Sequence, residues 1–260
     1  MANKRILLVG AGNLATSLGV ALAAAGMLPV AVWSRSQSSA RELGERIGCL
    51  WGCNMDELPV ADIVIISVAD SALETVAHAI ASRYPAAIIA HTAGSVSMDI
   101  LRCAGAGDYG VFYPMQTFSK QRTADFSKIT TFVEGSSEDV TAILEQISTR
   151  IGSKAVRATS EQRKYLHIAA VFACNFTNAA YSMAAELLEA NGLPFEAMLP
   201  LLDETAEKVH HLHPADAQTG PAARGDENVM NAHLAMLDGR LKEIYSTMSE
   251  YITAKNKKDR

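Results

Sequence analysis

Apolar and polar positions along the chain follow two regimes that meet near residue 158. Before that point, short runs of mostly branched apolar residues alternate with segments whose apolar positions recur every three or four residues. Residues 5–9 form the first run. Past a turn at 10–15, Leu14, Leu18, Ala21, Leu22 and Ala25 keep helical spacing until Gly26. Further strands are expected at 30–33, 62–68, 86–90, 110–113, 130–134 and 154–157. Helices are expected at 39–47, from a cap at Asp70 or Ser71 to 81, and at 138–151. A run as continuously apolar as 62–68 belongs in a sheet covered on both faces. Regular alternation of strand and helix predicts a doubly wound, parallel α/β sheet.

After Arg157 the strand signals stop. Residues 161–191 contain no glycine or proline and read as one long helix, which Gly192 and Pro194 end. A second helix follows from 196 to about 210, and Asp226 is placed to cap a last one reaching about 254. The chain therefore divides into an α/β domain, 1–157, and an all-helical domain, 158–260.

Composition narrows the classes. At 49% apolar and 20% charged residues, the 260-residue chain has the makeup of a folded protein with ample material for two cores. A net charge of -5 repels polyanions, so no nucleic acid partner is expected. The basic run Lys255, Lys257, Lys258 and Arg260 reads as a solvated tail. Lys4 and Arg5 ahead of an apolar run superficially resemble a secretory leader, but Asn13, Thr16 and Ser17 interrupt it. No later run is long enough for a bilayer, so no membrane partner is expected. The four cysteines form no C-x-x-C pair and have no matching histidine cluster, so no metal is expected and a reduced, cytoplasmic location fits.

The turn between the first strand and helix carries G-x-G-x-x-A as Gly10, Gly12 and Ala15. Gly10 permits the tight turn, Gly12 lets backbone amides approach a pyrophosphate, and Ala15 allows close packing of helix on strand. Asn13 and Leu14 lie within the same turn. At the end of the second strand, where an NAD site has a carboxylate for the ribose hydroxyls, stand Ser34, Arg35 and Ser36. A guanidinium flanked by hydroxyls suits a 2'-phosphate, so NADP is the expected cofactor. Val68 and Ala69, closing the third long strand, complete the expected cofactor contacts.

The Rossmann unit followed by helices resembles the pyrroline-5-carboxylate reductase and 6-phosphogluconate dehydrogenase superfamily. The stretches HTAGSVSMDIL, GVFYPMQTF, HIAAVFACNFTNA and TGPAARGD are similar to a bacterial family of Rossmann-like proteins with a C-terminal domain of unknown function, often labelled NADP oxidoreductases. The resemblance implies a C-terminal domain like that of 6-phosphogluconate dehydrogenase, and a homodimer formed through the helical half. In that superfamily the strand ends carry nicotinamide and substrate. Here those ends are Ser67, Val68 and Asp70, then His91 to Ser95, then Tyr113 to Thr117. Tyr113, Pro114 and Met115 resemble the H-P-M loop of prephenate dehydrogenase-like enzymes, with tyrosine in place of histidine, and Tyr113 is a substrate-binding candidate. His91 reads either as part of this floor or as a hydrogen-bonded structural residue.

On the long helix, Lys164, His167, Val171, Cys174, Asn175, Asn178 and Ser182 fall on one stripe at 100° per residue. The stripe reads as a cleft wall or as a polar seam. As a wall it offers His167 or Lys164 to move a proton while Asn175 and Asn178 orient a substrate. The lysine and asparagine that β-hydroxyacid dehydrogenases carry four residues apart are not reproduced, because Ile168 follows Lys164 at that spacing. Around Thr219, Gly220, Pro221, Arg224 and Asp226, a loop opens the last helix. Arg224 is either a dock for an anionic substrate or part of a turn and cap. Together these readings predict an NADP(H)-dependent oxidoreductase acting on a small C=O or C=N substrate; the alternative is an NADP-binding regulatory or assembly protein without turnover.

Overall fold

The computed structural model describes residues 4–256. Lys257, Lys258 and Arg260 of the expected basic tail lie outside the described residues. In chain order the first elements are β1 (Ile6–Val9), α1 (Asn13–Ala24), β2 (Ala31–Trp33), α2 (Gln37–Ile47), β3 (Leu50–Gly52), β4 (Ile63–Ile66) and α3 (Asp70–Arg83). They continue with β5 (Ile88–His91), α4 (Asp99–Cys103), β6 (Asp108–Pro114), β7 (Thr130–Gly135), α5 (Glu138–Arg150), β8 (Lys154–Arg157) and α6 (Ser160–Ala170). The strands make one sheet in the order β3-β2-β1-β4-β5-β6-β7-β8. All neighbours run parallel except β6 and β7. Strand order reverses between β1 and β4, the point at which an open parallel sheet leaves a crevice at its carboxyl edge.

Both faces of this sheet are covered. Ile6, Leu8, Val32 and Ile65 pack with Leu18 and Leu22 of α1 and Leu144 and Ile147 of α5. Leu7, Val9, Val64 and Ile66 pack on the other side with Leu73, Ala77 and Ile80 of α3. Successive residues of a strand thus enter opposite cores, which is why these strands lack polar alternation. The short β3 was not anticipated. It is three residues long, at the sheet edge, with Leu50 66% exposed, so it carries no periodic apolar signal.

Contacts divide the described chain into two units, one running through Asn175 and the other from Phe176. The division lies later than the expected boundary after Arg157. Arg163 of α6 explains the difference, since its buried side chain is bonded into the α/β unit.

The expected long helix is three pieces. A π-helical turn, Val171–Phe176, separates α6 from α7 (Thr177–Ala190). A π turn takes up an extra residue without needing glycine or proline, so composition gave no warning. Side chains beyond it rotate off the stripe that uniform α geometry predicts. In the second unit follow α8 (Leu199–His211), α9 (Pro214–Ala217), α10 (Pro221–Arg224), α11 (Glu227–Met236) and α12 (Gly239–Asn256). The expected last helix is broken because Leu237 is extended (φ -107°, ψ 150°) ahead of the turn-forming Asp238–Gly239 pair. Asp226 does cap α11, accepting from the Val229 amide at 3.2 Å. Among the described residues, no helix is long and apolar enough to cross a membrane.

Candidate functional site

Three backbone-rich corners meet at the carboxyl edge of the sheet. The Gly10 amide donates to the Trp33 carbonyl (2.7 Å), and the Ser67 amide donates to the Val9 carbonyl (2.7 Å). These bonds draw the ends of β1, β2 and β4 together. Gly10 is the tightest point: its φ is +119°, and a Cβ there would stand 2.0 Å from the Ser67 oxygen. Only glycine satisfies both conditions without displacing β4.

Gly12 behaves differently. It is the N-cap of α1, with φ -78°, and a Cβ placed on it would meet nothing within 4 Å. No side chain caps α1. The amides of its first turn and the positive end of its dipole therefore face a space beside the glycine turn. That space belongs to a groove of about 480 Å³. Gly10, Gly12, Asn13 and Leu14 form its first wall, Ser34, Arg35 and Ser39 its second, and Ser67, Val68, Ala69 and Asp70 its third. The far end is closed by Thr92, Ala93, Gly94 and His167.

The expected cofactor residues distribute unevenly around this groove. Ala15 is fully buried against the sheet, as expected for a packing residue. The Asn13 carboxamide donates to the Phe118 carbonyl (3.0 Å), tying the turn to the segment after β6. Arg35 is exposed on the groove wall. Ser36 is not in the wall: its hydroxyl caps α2 by accepting from the Ser39 amide (3.3 Å) and also meets the Ser38 and Ser39 hydroxyls. Ser39 takes the groove position instead. A cap at Ser36 starts α2 earlier than the apolar pattern indicated, and that turn of helix carries Ser39 inward.

At the far end, His167 Nδ1 lies 3.4 Å from the Tyr113 hydroxyl, with the rings edge-on at 6.4 Å. Gly94 packs against both rings, and of the pair His167 lines the groove. A Cβ on it would stand 2.8 Å from both His167 Nδ1 and Tyr113 Cζ. Tyr113 is 9% exposed, and burial raises its phenol pKa above the ordinary value, an effect that the Arg163 charge opposes.

His91, at the end of β5, is fully buried. Its Nδ1 accepts from the Ala93 amide (3.2 Å), which places the proton on Nε2. Burial, reinforced by the Arg163 charge, lowers its pKa to about 4. His91 is therefore neutral at neutral pH and serves the turn into the 92–97 loop.

Within the α/β unit, two more of the expected site residues lie outside the groove wall. Lys164 is exposed on α6 and Asn175 is exposed in the π-helical turn, neither in the groove wall. Asn178 and Arg224 belong to the second unit and are exposed there, Arg224 on the last turn of α10. Sequence reasoning missed Trp33 and Ser39 in the wall and the buried Arg163 behind it. An arginine in a charged helical turn reads as a surface residue; its only sequence signal is its place four residues before His167.

Comparison with known proteins agrees with this architecture. Residues 2–110 match the Rossmann-like domain and residues 129–252 match the domain of unknown function DUF2520. No curated protein matches the sequence. A Bacteroides fragilis protein named a putative NADP oxidoreductase is 47% identical and has a TM-score of 0.91, the match covering 97% of this chain and 99% of that one. A Thermotoga maritima protein is 23% identical over 98% of this chain and 99% of its own, with a TM-score of 0.74. Pyrroline carboxylate reductase of Plasmodium falciparum, solved with NADP bound, shares the fold with a TM-score of 0.65 at 12% identity, covering 98% of this chain and 99% of its own. The chain belongs to the family that joins a Rossmann-like domain to the domain of unknown function DUF2520.

Proposed function

We propose that the protein is an NADP(H)-dependent oxidoreductase that moves a hydride to or from a small C=O or C=N substrate. The observation that carries this reading is the continuity of one groove from the open helix N-terminus at Gly12 to His167, whose ring meets the Tyr113 hydroxyl behind it. The groove fits a dinucleotide. Its glycine turn leaves open space beside uncapped amides, and Arg35, Ser34 and Ser39 supply a cation and hydroxyls for a 2'-phosphate. The relative named for NADP oxidation and reduction, and the reductase solved with NADP, support the same cofactor. When bound, NADP(H) supplies or accepts the hydride. His167 and Tyr113 hand a proton to, or take one from, the substrate heteroatom, with their mutual contact holding both groups in place. A panel of small carbonyl and imine compounds, followed by NADPH absorbance, tests the reading. NADPH binding without oxidation of any member would leave a binding protein instead.

Arg35 sets the cofactor preference. Arg35→Ala is expected to abolish a preference for NADPH over NADH of at least about tenfold, or about 1.4 kcal/mol, in parallel binding titrations. Unchanged preference would move the 2'-phosphate seat elsewhere.

The proposal extends to a homodimer. Among residues 176–255, Ala222 alone is buried, whereas Met236 is 84% exposed and Leu201, Leu193 and Tyr251 each exceed 50%. Helices with so little buried apolar surface need a second surface to cover them, and a second copy supplies one by symmetry. Light scattering at micromolar concentration is expected to give twice the chain mass. A monomer whose second unit remains helical would refute the pairing.

A further inference from the structure

Among the described residues, Arg163 is the one Lys or Arg side chain buried in the α/β unit. Arg163 on α6 is 1% exposed and ranks among the largest fully buried side chains. Its Nη1 donates to Glu134 Oε2 of β7 (2.7 Å), its Nε to the Ala93 carbonyl (3.3 Å) and its Nη2 to the Val96 carbonyl. Ser160, one turn earlier on α6, donates to the same Glu134 oxygen (2.6 Å) and accepts from the Met98 amide (3.0 Å). Residues 93–98 are thus stitched to the start of α6 from both ends. This loop includes Ala93 and Gly94 of the groove wall, and Gly94 is the residue against which Tyr113 and His167 meet. His167 stands four residues after Arg163, on the same helical face.

Burying a guanidinium costs several kcal/mol of hydration before its partners offset it, and an apolar side chain of similar volume would secure α6 at least as well. What an apolar side chain lacks is a planar fork able to hold two carbonyls and a carboxylate at once. We propose that Arg163 is a positioning residue that holds the 93–96 loop in register with Tyr113 and His167, so that groove wall and proton-handling pair form one rigid edge. The proposal rests on the reading of that pair given above. It has an electrostatic side as well: the Arg163 charge opposes the rise in the Tyr113 phenol pKa that burial causes.

Two variants separate positioning from plain structural support. Arg163→Lys keeps the charge but cannot span Ala93, Val96 and Glu134 together. Arg163→Met combined with Glu134→Gln removes both charges without stranding the carboxylate. Each is expected to fold, to exchange the hydrogen-bonded Ala93 and Met98 amides at least about tenfold faster than the wild type, and to bind NADPH about tenfold more weakly, the scale of one lost charged hydrogen bond. The Tyr113 phenol, followed by NMR of ring-labelled protein, is expected to titrate higher in the Met/Gln variant and nearly unchanged in the Lys variant. Wild-type loop protection and NADPH affinity in either folded variant, even with a lowered melting temperature, would overturn the proposal. Should neither variant fold, the wild type decides: the Met98 amide, bonded to Ser160, must exchange together with the Gln162 and Arg163 amides at the start of α6, and independent exchange refutes the coupling. None of these measurements uses turnover. Failure of the oxidoreductase reading would therefore leave them intact, and their failure would leave that reading untouched.

Discussion

His167→Ala is expected to lower turnover of the substrate found by the panel by two to four powers of ten, the usual worth of a positioned acid–base group. The imidazole is the titratable side chain that α6 delivers to the closed end of the groove, and it lies within reach of the Tyr113 hydroxyl. NADPH affinity should change little, because the pyrophosphate and ribose seats proposed above lie on other loops. Tyr113→Phe should cost less, since it keeps the ring against Phe132 and removes only the hydroxyl. Because the two groups act as a unit, the double variant should be hardly slower than His167→Ala alone. Steady-state kinetics of the three variants check this. Multiplying effects would mean independent roles, and an active His167→Ala enzyme would remove the histidine from the chemistry.

The two glycines of the first turn should respond in opposite ways. Gly10→Ala combines a forbidden backbone angle with a clash against the Ser67 oxygen, so β4 must move. A loss on the order of 3 kcal/mol is expected, lowering the melting temperature by roughly 6–12 °C even without cofactor. Gly12→Ala adds its methyl group to open space at an ordinary φ and should leave the melting temperature of the free protein nearly unchanged. Its cost appears on titration with NADPH, where affinity is expected to fall by at least about tenfold because the methyl occupies the approach to the helix amides. Normal NADPH binding by Gly12→Ala would mean that this turn is not the pyrophosphate seat.

The glycine-turn end of the groove was legible in sequence because its requirements are local. A glycine turn between β1 and α1 and a cation at the end of β2 each lie within a few residues of a strong periodic signal. The far end was legible only in fragments. Tyr113 and His167 were each singled out, but their contact joins positions 54 residues apart, which no local pattern records. Lys164 shared the stripe with His167 yet points to solvent, since adjacent turns of one helix can differ by a full change of environment. Ser36 is drawn out of the groove wall because its hydroxyl caps α2, and capping competes for the same hydroxyl that a phosphate would use. The π-helical turn escaped notice because it needs no marker residue, and it undid the stripe that linked His167 to Asn178.

All eight strands precede residue 158, and the exposed apolar helices follow them. Order along the chain becomes order in time when the protein is synthesised. The sheet can close, with its glycine turn and far-end loop in place, before α8 to α12 have left the ribosome. Those helices then emerge with their apolar faces uncovered. On the homodimer proposed above, expression level should govern yield: dilute chains keep the helical half open to proteases or chaperones for longer, while concentrated chains pair sooner.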